Sequence, residues 1–364
     1  MLQGASLDKL GEQILSHILG DEVNSIFPAH LTLDALGAAL GSHIGQRRKR
    51  NEDRCAIARI QISNTCCYTL AVICDGVGGS EIGHEAAATA CAAAISFVGR
   101  QTACQHPKYL LPHLTRETDD IVRLRLKGRG LTTFTILLAN NKGDLAIASI
   151  GDSRAYSWEP SSDLIQLIED DTFENELKHL NIKDPAFLKE RGLKGSLSQA
   201  LGETERSSSE LNIDIIDGKK TPPGGFLLAT DGVWKLSEDA FLKIAKNSST
   251  VSDLVRRCIT AASWLGGLDN SSAIALKDPL QFCTTINFFT APYIIVWTPS
   301  HKAIFYIPEE EKSPLRETPA ETKTKPAKRA RQSKKQATPQ LQLVDPEKQD
   351  EKNNKNIQVG PDDQ

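Results

Sequence analysis

Two strand-length apolar runs in this chain end on the same pair of residues. Leu70–Cys74 (LAVIC) runs into Asp75-Gly76, and Phe226–Thr230 (FLLAT) runs into Asp231-Gly232. A carboxylate at the end of a buried strand is costly unless it is paired, hydrogen-bonded or bound to a metal. A single Asp-Gly is ordinarily just a turn. Here the pattern recurs, and two further acidic segments, Asn51-Glu52-Asp53 and Asp269-Asn270, also sit where the backbone turns beside an apolar strand. The recurrence, rather than any one Asp, constrains the fold: strand ends must converge so that these carboxylates share a task.

Hard divalent cations take oxygen ligands, and Mg²⁺ keeps several waters while accepting few carboxylates. Converging aspartates therefore describe a two-metal hydrolytic site better than a structural zinc. Two ions about 3.5–4 Å apart can share a bridging water, lower its pKa and present hydroxide in line to a phosphorus, with no protein nucleophile required.

The runs Tyr68–Cys74, Thr133–Ala139, Leu145–Ile150 and Phe226–Ala229 are expected as strands, punctuated by Asp-Gly and Asn-Lys-Gly turns. Two helical stretches lie between them: alanine-rich Glu81–Val98, and about Tyr109 to Leu126 after Pro107. This order points to an α+β fold with helices packed on a mostly antiparallel sheet system. Leu7, Leu10, Ile14 and Ile18 recur at helical spacing with Ser6 placed to cap, so a short amphipathic helix is expected ahead of the main domain. Residues 293–297 and 303–307 flank a loop containing Pro299 and read as a hairpin. The expected organisation is an N-terminal helical extension over 1–40, a main domain over 41–278, an appended hairpin over 279–310, and a charged tail over 311–364.

That tail has no aromatic residue and is dominated by Pro, Lys, Glu, Gln and Thr, a composition that cannot bury enough apolar surface to fold. Its basic stretch, 323–335, reads as a solvated linker, with docking or nucleic-acid contact the lesser reading. A formal net charge of −3 argues against a nucleic-acid-coating surface for the whole chain. The eight cysteines form no CxxC pair and have no regular spacing, so reduced thiols are expected. The N-terminus lacks the basic and apolar regions of a secretory signal and no 18-residue apolar stretch follows, so a soluble cytoplasmic protein with no membrane partner is expected.

Six patterns then stand in one order: Gly45-Gln46-Arg47-Arg48-Lys49-Arg50-Asn51-Glu52-Asp53, Asp75-Gly76-Val77-Gly78-Gly79, Gly151-Asp152-Ser153-Arg154-Ala155-Tyr156, Leu197-Ser198-Gln199-Ala200-Leu201-Gly202, Leu228-Ala229-Thr230-Asp231-Gly232-Val233-Trp234, and Asp269-Asn270-Ser271. Together they resemble the metal-dependent protein phosphatases, also called type 2C, over roughly residues 41 to 277. The bacterial-type members are the nearer match.

The resemblance implies a four-layer α-β-β-α sandwich of two antiparallel sheets flanked by helix pairs, with a metal cleft at one end. It implies two Mn²⁺ or Mg²⁺ ions. Asp75 would bridge them, the Gly76 carbonyl would add an oxygen, and Asp231 and Asp269 would complete one ion's shell. Glu52 and Asp53 would hold the other, and Asp152 with Asp231 a third, weaker ion. Arg48 occupies the position that grips the substrate phosphate, where a planar guanidinium bonds two oxygens at once. The reaction implied is hydrolysis of phosphoserine or phosphothreonine in proteins, opposing a serine/threonine kinase. For Asp152 the plainer alternative is a turn carboxylate paired with Arg154. Three departures stand out: Val77 where eukaryotic members often have histidine, Leu131 in place of the first glycine of G-T-T, and a loose match over the flap, about 172 to 195.

Rival chemistries fail on residues. No cysteine has the arginine that a cysteine-based tyrosine phosphatase needs, no GxxxxGK[ST] occurs, and Gly151-Asp152-Ser153-Arg154-Ala155 lacks the second glycine of a serine-hydrolase elbow. Two alternatives remain: a catalytically silent module of the same fold that binds or regulates a partner, and the same chemistry on a small phosphate ester or phosphohistidine.

Overall fold

The computed structural model describes residues 5–21, 27–77, 82–180, 188, 191, 193, 195–235, 237–284 and 291–308. Gly78 and Gly79, much of the expected flap and the whole expected tail lie outside these. The described residues fall in the compact unit Met1–Leu315.

Strands β1 (Ala29–Leu33), β2 (Ala38–His43), β3 (Arg54–Ser63), β4 (Cys66–Cys74), β5 (Phe134–Asn140), β6 (Leu145–Ile150), β7 (Arg154–Trp158), β8 (Ile165–Gln166), β9 (Asp214–Asp217), β10 (Gly225–Ala229), β11 (Ser271–Leu276), β12 (Tyr293–Trp297) and β13 (Lys302–Tyr306) form two antiparallel sheets. One runs β1-β2-β11-β10-β7-β8, the other β13-β12-β3-β4-β5-β6-β9. Period-two alternation sorts their side chains into layers. Leu40, Ile57, Ile73, Leu137, Phe226, Leu228 and Ile274 pack between the sheets.

The opposite faces carry helices. Ala58, Ile60, Tyr68, Leu70 and Ile136 meet α1 (Lys9–Gly20), α2 (Gly83–Gly99) and α3 (Pro107–Leu126). On the other sheet Ala39, Leu227 and Ala273 meet α6 (Glu238–Lys246) and α7 (Val251–Trp264). Shorter helices are α4 (Phe173–His179), α5 (Asp231–Trp234) and α8 (Pro279–Thr284). The result is the expected α-β-β-α sandwich, with α1 added to the pair on one face. Among the described residues no helix is long and apolar enough to cross a membrane.

Several expectations are corrected. The first helix starts at Lys9, capped by Asp8 and not Ser6: Asp8 Oδ1 accepts from the Gly11 N–H at 2.5 Å. Asp8 also accepts from Ser96 Oγ at 2.8 Å and pairs with Arg100, so α2 selects the cap. Residues 1–40 are not only a helical extension, because β1 and the start of β2 lie within them and pair as a hairpin at the edge of a main sheet. Tyr293–Trp297 and Lys302–Tyr306 do form the expected hairpin, but β12 pairs with β3 and so lengthens the second sheet. Cys66 and Cys104 are joined as a disulfide with Cα atoms 5.4 Å apart, whereas thiols were expected throughout. The other six cysteines are buried free thiols.

The outer segments also meet each other. Asp21, buried at the end of α1, accepts from the Ser300 N–H at 3.4 Å and lies 3.1 Å from His301 Nδ1 in the β12–β13 turn.

Candidate metal centre

Sheet register brings the acidic segments together. Arg54 pairs with Cys74, so Asp53 before β3 and Asp75 after β4 emerge side by side. Ala229 pairs with both Arg154 and Ala273, which sets Asp231, Asp152 and Asp269 around the end of the other sheet. Every sequence-predicted carboxylate therefore sits at a strand end, and at the same end of the sandwich.

Local hydrogen bonds fix the backbone that carries them. The Asp75 N–H donates to Thr133 Oγ1 at 2.9 Å, and the Asp75 carbonyl accepts from the Thr133 N–H at 2.9 Å and Thr132 Oγ1 at 3.0 Å. Thr133 Oγ1 lies 2.8 Å from Ser153 Oγ, so the Asp152 segment is tied to the Asp75 turn. Ser153 thus has a structural job beyond filling a turn. Asn270 Nδ2 donates to the carbonyls of Ile44 at 2.7 Å and Arg50 at 3.1 Å, while its Oδ1 accepts from the Glu52 N–H at 2.8 Å. One amide side chain thereby locks the arginine loop against the Asp269 turn. The Arg54 guanidinium donates to the carbonyls of Asn51 at 2.8 Å and Asp53 at 2.7 Å, and it lines a small cavity with Asp53, Asp21 and Thr298.

Two glycines permit this crowding. A Cβ at Gly232 would stand 1.8 Å from the Asn270 carbonyl oxygen, and one at Gly76 would stand 2.5 Å from Gly83 backbone atoms. Any side chain would push the Asp231 and Asp75 turns off their neighbours.

Burial, then mutual repulsion, raises the acids. Asp75 is raised well above the usual carboxylate range, first by burial and then by Asp53, Asp231, Asp152 and Asp269. Asp53 is raised in the same way, and burial with Asp231 pushes Asp152 up to about 7. Glu52 is raised by burial against the opposing pull of Arg48.

The charge is incompletely answered by protein groups. Thr230 Oγ1 donates to Asp53 Oδ2 at 2.9 Å, but Asp53 Oδ1 and Asp231 Oδ1 are buried with no hydrogen-bond partner among the described residues. Arg154, the alternative partner for Asp152, instead grips Asp170 with Nε and Nη2 both at 2.8 Å and stacks over the Trp234 ring. Arg48 Nη2 donates to Asp269 Oδ2 at 2.6 Å, and Lys235 Nζ stands 3.0 Å from Asp231 Oδ2 and 3.9 Å from Asp152 Oδ2.

Among the described residues no three His, Cys, Asp or Glu side chains form a ready-made cation cage, and Asp269 and Asp231 are turned toward Arg48 and Lys235. Side-chain cations therefore lie where positive charge is demanded. Orphaned buried carboxylate oxygens among mutually repelling acids fit hard divalent cations. Of the predicted residues, Arg48 is part-buried against this cluster while Arg47, Lys49 and Arg50 are exposed. The sequence reading missed Lys235, Asn270 Nδ2 as a lock, and Arg54. For Lys235 a signal existed: it lies four residues after Asp231, one helical turn on.

The family model described as protein phosphatase 2C matches residues 41–265, more than half the chain. Among solved structures, a bacterial serine phosphatase is similar at 21% identity and TM-score 0.56, covering 66% of this chain and 97% of its own. The serine/threonine phosphatase of Staphylococcus aureus is similar at 21% identity and TM-score 0.55, covering 67% and 95%. The catalytic domain of the serine/threonine phosphatase PstP, in complex with 2 manganese ions, is similar at 22% identity and TM-score 0.50, covering 69% and 99%. At these identities the likeness carries the fold. No curated protein matches the sequence.

Proposed function

Because the chain belongs to the protein phosphatase 2C family, we propose that it is a metal-dependent protein phosphatase that hydrolyses phosphoserine and phosphothreonine, with phosphoproteins as substrates. One observation carries this reading: six carboxylates from five segments meet at one end of the sandwich, with buried oxygens left without a hydrogen-bond partner among the described residues. A relative of the same fold is described with two manganese ions.

Asp75, Asp231 and Asp269, with the Gly76 carbonyl, would hold one ion, and Asp75 with Glu52 and Asp53 the other; Mn²⁺ or Mg²⁺ suits this all-oxygen set. When bound, such ions supply a water of lowered pKa and neutralise charge on the phosphoryl group. The protein's own residues do the rest. Asp75, fixed by Thr133 and Thr132, sets the centre of the site. Arg48, released from Asp269, bonds two phosphate oxygens and orients the ester. Asp152 adds negative charge beside Asp231, which favours a further, weaker cation there. Among the described residues no side chain stands as an evident acid for the leaving alkoxide, since Val77 occupies the turn where histidine serves in some relatives; water would supply that proton.

The test is phosphate release from a phosphothreonine peptide with Mn²⁺, with EDTA, and with Asp75→Asn protein as the blank. Release that needs the metal and is lost in the variant is expected. No release in any metal would favour the silent binding module.

A further inference from the structure

Helix α7 ends on an apolar ridge. Trp264 is 85% exposed, Leu265 51% and Leu268 56%, the first being the most exposed of the large hydrophobic residues. An exposed Trp flanked by two leucines is an unusual concentration of apolar surface, of the kind that marks an interaction site.

The ridge is fixed to the candidate centre from both sides. Leu268 immediately precedes Asp269, which Arg48 grips at 2.6 Å. Gly267, in the left-handed region at φ +49°, turns its carbonyl onto the arginine loop, accepting from the Gln46 N–H at 2.7 Å and the Arg47 N–H at 3.2 Å. Gln46 Nε2 donates to the Ser263 carbonyl at 3.3 Å. A Cβ at Gly267 would stand 2.6 Å from Gln46 Cγ, so the contact is close as well as bonded. Ridge and arginine loop are therefore one surface, with exposed Arg47 and Lys49 on one flank and three exposed hydrophobic residues on the other.

We propose that this ridge is a substrate-docking surface that takes apolar side chains next to the phosphorylated residue of a phosphopeptide. The occupant follows from continuity and charge. A phosphate held by Arg48 brings its flanking residues over this rim, the cationic flank complements the phosphate dianion, and the apolar crest complements a neighbouring Leu, Met or Phe. Burying about one such side chain against Trp264 corresponds to roughly a tenfold preference. The inference rests on the phosphatase reading, and names which phosphopeptides that site prefers.

The experiment uses the full chain with Mn²⁺, p-nitrophenyl phosphate, and two phosphothreonine peptides that differ only in carrying Leu or Ser on either side of the phosphothreonine. The readout is each peptide's kcat/KM divided by that for p-nitrophenyl phosphate, in the wild type, Trp264→Ser and Trp264→Phe. The wild type is expected to prefer the Leu peptide about tenfold, chiefly through KM. Trp264→Ser should bring the ratio of the two peptides near one, and Trp264→Phe should restore most of it. Equal use of both peptides by the wild type, or an unchanged preference in Trp264→Ser, would overturn the ridge as docking surface while leaving the phosphatase standing. Failure to turn over even p-nitrophenyl phosphate would remove the phosphatase reading, and the ridge's role with it.

Discussion

The two ends of the sandwich make opposite use of acidic residues. At the end away from the candidate centre a cavity of about 880 Å³ opens among the β5–β6 turn, the start of β10 and the end of β11. Two of its acids have local answers: Asp144 faces His106 Nε2 at 3.5 Å, and Asp217 faces Lys108 Nζ at 3.6 Å while its Oδ1 accepts from the Lys219 N–H at 3.2 Å. At the other end six carboxylates crowd together, two buried oxygens have no hydrogen-bond partner among the described residues, and Arg48 and Lys235 pair with Asp269 and Asp231. Unneutralised charge in a desolvated place, rather than cavity size, distinguishes a reactive site from a surface recess.

The largest expected effect separates the two ends directly. On the proposed reading Asp75→Asn should lower kcat by at least ~10³-fold, since it removes the carboxylate that would be shared between the ions, and it should raise the melting temperature of the metal-free protein, at pH values where Asp75 is ionised, by relieving repulsion. Asp217→Asn should leave turnover within about twofold and stability nearly unchanged, since its ion pair with Lys108 is screened by solvent. A loss of activity in Asp217→Asn would break the contrast.

Next comes pH. Asp152 titrates near 7 in the fold against 3.8 ordinarily, and Asp53 and Asp75 are raised in the same direction. Between those values the folded form binds more protons than the unfolded chain, so the metal-free protein should lose stability as pH rises from about 4 through about 7. Saturating Mn²⁺ at pH 8 should return roughly 5–10 °C of melting temperature. Calorimetry at several pH values checks both, and a metal-free protein that gained stability across this window would contradict the repulsion.

Arg48→Ala should raise KM about tenfold with a smaller change in kcat, because gripping the phosphate contributes to ground-state binding as well as to the transition state. Steady-state kinetics with a phosphopeptide reads the split. The smallest effect belongs to Lys235→Ala, which should tighten Mn²⁺ binding a few-fold, about 0.5–1 kcal/mol after discounting for solvent screening of an exposed lysine. Mn²⁺ titration followed by electron paramagnetic resonance measures it.

What the sequence made legible follows the same division. The strand ends could be read because apolar runs of fixed length stop on Asp-Gly, and burial makes a carboxylate there informative. Pairing rules then do the assembly: once β3 pairs with β4 and β10 with both β7 and β11, the acidic turns converge. The cap at Asp8 was not legible because Ser96 and Arg100, some ninety residues on, decide between it and Ser6. β1 escaped because its residues are only partly buried, without the clean alternation of a core-facing strand. The Cys66–Cys104 bridge depends on how the β3–β4 turn meets the segment before α3, which no spacing along the chain encodes. Arg154 choosing Asp170 over nearby Asp152 is likewise a matter of which strand end faces which loop. Lys235 looks in sequence like any surface Asp–Lys pair one helical turn apart; only its position beside Asp152 gives it meaning.

The contact between Asp21 and the Ser300–His301 turn bears on how this chain can be inherited and cut. Asp21 and Thr298 lie outside residues 41–265 yet line one small cavity with Asp53 and Arg54. The first core helix and the last hairpin close over the family domain like the two ends of a clasp. Trimmed to 41–265, the chain would lose β11 outright and strip α1 from the apolar face of α2, baring surface that now seats Leu10, Ile14 and Ile18. The domain is therefore no interchangeable cassette: its flanks must travel with it through any recombination that preserves the fold.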